Sequence, residues 1–132
     1  MSSIIKDLWI FSRDGIPIVE VFHNFKGDSL LLGAFLSAIE SFSIEVTGAD
    51  IRSFSFGDHK FILTSCLKGN IYLVSRCDIK VKTKKVMKVF EIITEFFEEL
   101  YTINDIENWD GDLSLFDRFK DRIELYFQMS EL

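Results

Sequence analysis

Residues 8–19, Leu8-Trp9-Ile10-Phe11-Ser12-Arg13-Asp14-Gly15-Ile16-Pro17-Ile18-Val19, read as two short strands closed on a tight turn. Leu8 to Phe11 and Ile16 to Phe22 flank Arg13-Asp14-Gly15, and Asp-Gly favours the left-handed backbone that tight hairpins need. Pro17 has no amide hydrogen for a strand ladder, so its strand is expected at a sheet edge. In the first strand both alternating sets are apolar, Leu8 with Ile10 and Trp9 with Phe11. Such a strand is central and covered on both sides, which requires helices on both faces of the sheet.

Beyond this hairpin the hydrophobic period becomes helical from about Asp28 to Phe42. Asp28 or Ser29 can cap the helix, and Leu31, Leu32, Phe35, Leu36, Ile39 and Phe42 form a stripe at helical spacing. Gly33, Ala34, Ser37 and Ala38 leave much of the remaining surface small. The plainer reading is close packing of helix on sheet; the sharper one is a shallow groove that accepts a partner.

A third strand is expected near Ile51 to Phe56, with Arg52, Phe54 and Phe56 alternating against Ile51, Ser53 and Ser55. The serines place one face or edge of it in contact with water. Phe61 to Leu67 and Ile71 to Arg76 read as fourth and fifth strands near the sheet centre, with turns at Gly57-Asp58 and Lys68-Gly69-Asn70. A second helix runs from about Thr83 to Tyr101, with Val86, Val89, Phe90, Ile93, Phe96, Phe97 and Leu100 on one face. Thr102 to Asp112 reads as a solvated connection anchored by Trp109, followed by a last helix capped by Asp112 or Ser114. That helix shows Leu115, Phe116, Phe119, Ile123, Tyr126 and Phe127 on one side. The order is ββαβββαα, an α+β chain.

Composition points to a single domain over residues 1–132. A chain of 132 residues buries roughly two-thirds of its unfolded surface. Its 14 phenylalanines fall inside periodic segments, as core residues do, and its one proline leaves no Pro-rich linker. A net charge of −6 argues against general nucleic-acid binding, which needs clustered Lys and Arg. Cys66 and Cys77 lack metal-type spacing, and a tight hairpin puts Cys66 opposite Ile71 with Cys77 several residues away. No disulfide is expected, and two buried thiols fit a reducing, cytoplasmic setting. The start of the chain lacks a basic region followed by an apolar core, and no apolar run approaches about 18 residues, so neither a signal peptide nor a membrane span is expected.

The charges of the second helix oppose its dipole. Lys80, Lys82, Lys84, Lys85 and Lys88 crowd its N-terminal end, and Glu91, Glu95, Glu98 and Glu99 its C-terminal end. The lysines are therefore not there to stabilise the helix. They form either a solvated face or a positive patch that meets an acidic partner or an anionic membrane surface.

Catalytic constellations are missing from the sequence: it has no nucleophile elbow, phosphate-binding glycine loop or zinc-protease motif. His23 follows an edge strand and His59 lies beside a turn; Asp7, Asp14, Glu20 and Asp58 read as solvated acids near turns and strand ends. The acids between Thr102 and Asp112 do not match a calcium-loop spacing. No catalytic residue, metal or cofactor is expected.

In its element order and three stretches the chain resembles a longin domain, within the wider longin and roadblock group of trafficking and GTPase-associated folds. The stretches are Leu8 to Val19 with its Asp-Gly-Ile-Pro turn, Leu30 to Phe42, and Ile51 to Val74 with its two hairpin turns. The resemblance implies a five-stranded antiparallel sheet in the order 2-1-5-4-3, one helix on one face and two on the other. It also implies binding through the first helix and third strand, here Leu32, Phe35, Leu36, Ile39, Arg52, Phe54 and Phe56. Longin SNAREs continue into a coiled coil and membrane anchor, whereas this sequence stops at Leu132, so the likeness is to free-standing longin proteins rather than fusion machinery.

Two functions follow as expectations. One is a non-catalytic interaction module that homo- or heterodimerises and supports a small GTPase or a vesicle-trafficking-type complex. The alternative is a small-molecule sensor of profilin, PAS or GAF type. A pocket with polar lining would favour the sensor; a filled core with an apolar edge would favour the module.

Overall fold

The computed structural model describes residues 4–21 and 27–130. Phe22 and His23 lie outside the described residues. The strands are β1 (Asp7–Ser12), β2 (Pro17–Val21), β3 (Ser53–Phe56), β4 (His59–Cys66) and β5 (Ile71–Asp78). The helices are α1 (Ser29–Thr47), α2 (Thr83–Leu100), α3 (Ile103–Glu107) and α4 (Asp117–Ser130), the last entered through a 3-10 turn at Leu113–Phe116. All strand pairs are antiparallel, in the order β2-β1-β5-β4-β3.

Sidedness follows from alternation along each strand. Leu8, Ile10, Ile62, Ile71 and Leu73 share one core with Val86, Phe90, Ile93 and Phe97 of α2 and Phe119, Ile123 and Phe127 of α4. Trp9, Phe11, Phe61, Leu63 and Val74 face the other way and meet Leu32 and Leu36 of α1. One helix thus covers one face and two long helices the other, as expected. Pro17 sits in the edge strand β2 beside an irregularity in the ladder between Ile10 and Phe11.

The reversed charges of α2 are outweighed by its packing. Its four buried side chains, Val86, Phe90, Ile93 and Phe97, contribute together about 6–12 kcal/mol. Each misplaced exposed charge costs about 0.3–1 kcal/mol. Arg122 ties α4 back to α2, bonding Glu99 at 3.2 Å and lying 4.4 Å over the Phe96 ring.

Several boundaries differ from expectation for local reasons. α1 continues past Phe42 to Thr47 and stops where Gly48 takes a left-handed φ of 75° and donates to the Ile44 carbonyl. Leu67 belongs to the β4–β5 turn rather than to β4. The stretch read as a plain connection contains α3, nucleated by a capping box in which Thr102 accepts from the Asp105 amide and Asp105 from the Thr102 amide. Trp109 anchors the remainder, its indole donating to the Asp112 carbonyl at 2.8 Å and its ring standing edge-on to Phe116.

In the β4–β5 ladder Cys66 pairs with Ile71 and Cys77 with Lys60, so the thiols are far out of register. Both are buried and free. Burial, with the Glu98 charge, pushes the Cys66 thiol up to about 12, which leaves it unreactive at neutral pH.

Candidate functional site

α1 is apolar around most of its circumference, yet only Leu32, Gly33 and Leu36 are buried. Three contacts seat it. At its start Asp28 accepts from the Leu30 amide at 2.9 Å. The Trp9 indole then donates to Ser29 Oγ, and Ser29 donates to the Glu20 carboxylate, which ties the first turn to β1 and β2. One turn further, Gly33 lies backbone to backbone on Gly15, whose own φ is 85° in the β1–β2 turn. A Cβ on Gly33 would stand 1.9 Å from the Gly15 carbonyl oxygen.

This seating directs a second apolar stripe outward. Leu31 is 69% exposed and Phe42 66% exposed, with Ala34, Phe35 and Ala38 open between them. Leu31, Phe35, Ala38 and Phe42 follow a four-three-four spacing, which keeps them on one side of a helix, as in a helix-pairing seam. Alanines at its middle let a second backbone approach closely. Among described residues, α1 is the helix whose length and hydropathy equal those of a bilayer-crossing segment, with a mean hydropathy of 1.5. Scattered serines and two glutamates interrupt its apolar run, so the length and average composition alone are weak evidence for a span. Its seat on the sheet leaves one face to be covered, not the whole cylinder.

The stripe continues onto β3, a sheet edge on whose outer side no described strand pairs. Phe54 and Phe56 point towards α1, while Ser53 and Ser55 face water. An aromatic ladder climbs from core to surface: Trp9 stacks on Phe61, Phe61 on Phe54 at 4.9 Å, and Phe54 meets both Phe35 and Phe56 edge-on. Phe56 is 57% exposed at its top.

The seven residues expected to bind a partner therefore divide. Leu32 and Leu36 are buried and hold α1 down; Ile39 and Phe54 are half-buried; Phe35, Arg52 and Phe56 are exposed. Arg52 precedes β3 rather than lying in it, and its carbonyl accepts from the Leu63 amide. Leu31, Ala38, Phe42 and Val46 share the exposed side of α1 with Phe35 and stand outside that set of seven, because the apolar positions of α1 read in sequence as one stripe. More apolar residues than one stripe can hold was the available signal.

Beneath the C-terminal half of α1 a surface cleft of about 200 Å³ opens between helix and sheet. Phe11, Leu36, Leu63 and Val74 line it, and Arg13, Glu40 and Tyr72 bring polar groups to it. Glu40 is pushed above the ordinary glutamate range by burial and by its hydrogen bond to Asp50. A carboxyl raised by folding destabilises the native state once pH exceeds its ordinary value, and the penalty is complete above the raised one. Glu40→Gln is therefore expected to raise Tm at neutral pH, with the gain vanishing below the ordinary glutamate range. Melts across pH check this; an unchanged or lower Tm at neutral pH would refute the carboxyl pairing.

Among the described residues no group of His, Cys, Asp and Glu could hold a metal ion. The lysines at 80, 82, 84, 85 and 88 are all exposed around the start of α2.

The antiparallel sheet order, with one helix on one face and two long helices on the other, defines a longin/roadblock-type fold. No protein-family model matches the chain, and no curated protein matches it. Solved structures share the fold. MglB from Myxococcus xanthus superposes with a TM-score of 0.56 at 13% identity, over 74% of this chain and 86% of that one. The gliding protein MglB from Thermus thermophilus gives 0.56 at 10%, over 69% and 73%. A Roadblock/LC7 domain from Streptomyces avermitilis gives 0.57 at 14%, over 72% and 83%.

Proposed function

We propose that the chain is a one-domain, non-catalytic, cytoplasmic interaction module that dimerises through α1 and β3 and supports a small GTPase complex. The observation that carries this reading is the outward apolar stripe of α1 running into the aromatic edge of β3. A stripe of this spacing pairs with a second helix by interdigitation, and an open edge strand pairs by backbone hydrogen bonds. The longin/roadblock fold supports the same surface. A stable interface of this kind buries about 1,200–2,000 Å² in total, and helix plus edge strand supply residues enough for it.

The test is oligomeric state. Wild type is expected to sediment as a dimer, and Phe42→Glu and Ala38→Glu as monomers with unchanged circular dichroism, because neither side chain is in the core. Phe54→Asp is a poor probe, since Phe54 stacks on Phe61 and its loss would also weaken the core. Monomeric wild type, or dimeric Phe42→Glu, would sink the proposal. The GTPase component is tested by capture from source lysate followed by labelled-nucleotide detection, wild type beside Phe42→Glu.

A sensor is the second reading, favoured by the cleft beneath α1 with Arg13, Glu40 and Tyr72 at its walls. A metabolite that raises Tm in wild type but not in a Tyr72→Phe, Glu40→Gln variant would promote it.

A further inference from the structure

We propose that the end of the molecule where β5 runs into α2 docks on an anionic lipid bilayer through Ile79 and the adjacent lysines. Lys80, Lys82, Lys84, Lys85 and Lys88 are all exposed there, and none is in an ion pair among the described residues. The first turn of α2 holds no acidic residue, and Lys82 at the N-cap makes no side-chain cap hydrogen bond. The helix field therefore adds to the lysine charge instead of cancelling it.

An apolar tip stands beside this charge. Ile79 is 43% exposed, and its amide donates to the Asp58 carbonyl at 2.9 Å, which fixes it at the rim formed with the β3–β4 turn. Val81 closes the connection by donating to the Asp78 carbonyl at 3.0 Å. Ile79 stands between Asp78, which pairs with Lys6 at 4.0 Å, and Lys80, with the exposed Asp58 also beside it. The five lysines outnumber these two acids, and an exposed aliphatic side chain next to such an excess matches the way polybasic segments meet a bilayer.

The composition of the patch selects lipid over an acidic peptide. Its cations are all lysines, hydrated point charges on flexible stems that suit a diffuse anionic plane. Carboxylates fixed in place on a folded acidic partner are better held by the planar fork of arginine. The remainder of the protein is strongly acidic, with a net charge of −6 for the whole chain. Glu91, Glu95, Glu98 and Glu99 lie at the far half of α2, so an anionic surface repels that end and orients the molecule lysine end down. Dimerisation through α1 and β3 is not required for this.

The full chain is sedimented with vesicles of phosphatidylcholine alone and of phosphatidylcholine with phosphatidylglycerol. Binding is expected only to the second, falling as salt rises. Each lysine changed to glutamine should weaken partitioning about fivefold, so the variant with all five changed should not sediment. That variant should melt no lower than wild type, because it loses charges opposed to its own helix, which separates lost binding from lost fold. Ile79→Trp should show a blue-shifted emission with the anionic vesicles alone. Phe42→Glu should bind them as wild type does, keeping this result apart from the dimer question. Absence of sedimentation with anionic vesicles, or equal binding by the five-lysine variant, overturns the proposal. So does displacement from vesicles by soluble polyglutamate at matched charge and salt, which would assign the patch to an acidic protein.

Discussion

Gly33→Ala is expected to destabilise the protein by about 3 kcal/mol or more, at the top of the usual range for overpacking. The added methyl would lie 1.9 Å from the Gly15 carbonyl oxygen, 2.9 Å from its carbon and 3.1 Å from Phe11 Cε1. The first two are backbone atoms, so no rotamer change relieves the clash. Gly15 cannot easily yield, because its amide bonds the Ser12 carbonyl at 3.0 Å within a turn that also joins Ser12 to Ile16. The helix must lift instead, drawing Leu32 and Leu36 away from Trp9, Phe61 and Leu63. Alanine improves helix propensity by about 1 kcal/mol over glycine, so the sign of the result decides which effect is larger. Urea unfolding followed by circular dichroism measures it. A variant as stable as wild type would mean that α1 is not seated on the turn.

Asp7→Ala is expected to cost about 3–5 kcal/mol, the penalty for stranding one member of a buried ion pair. Asp7 is fully buried, and Arg76 donates to its Oδ2 from both Nε and a terminal nitrogen at 2.6 Å. The two residues face each other in the β1–β5 ladder, at the middle of the sheet. Removing the carboxylate leaves a guanidinium whose side chain is only 15% exposed. The double variant Asp7→Leu, Arg76→Met should recover most of the loss, because an apolar pair replaces an ion pair at little cost. A complete double-mutant cycle by denaturant unfolding measures both. A loss below about 1 kcal/mol for Asp7→Ala would place the pair in the class of solvated bridges.

That pair also marks a limit of sequence reading. Asp7 looked like one more solvated acid at a strand end, and nothing local distinguishes it from Asp14 or Asp58. Its partner is 69 residues away, and only the β1–β5 register brings the two together. Glu20 was read the same way and instead accepts from Ser29 at the start of α1.

Where sequence reading succeeded, the signal was local or periodic. Asp14-Gly15 specified its turn because few residues tolerate the backbone there; Pro17 specified an edge because it cannot donate. The alternation of Leu8 to Phe11 required cover on both faces, and α2 and α4 show their buried faces openly because their other faces are charged. The strand order came from the resemblance and agrees with these clues.

α1 is the opposite case. Periodicity assigns a helix its buried face only where the other face is polar, and α1 has apolar residues nearly all round. Which of them pack was decided by the contact of Gly33 with Gly15, which turns Leu32 and Leu36 inward and leaves Leu31, Phe35 and Phe42 outside. The chain order of residues thus determined the elements, their turns and the charge laid along α2. Tertiary structure alone decided which side of α1 faces water, because that orientation depends on a close backbone contact between segments that carry no sequence mark of each other.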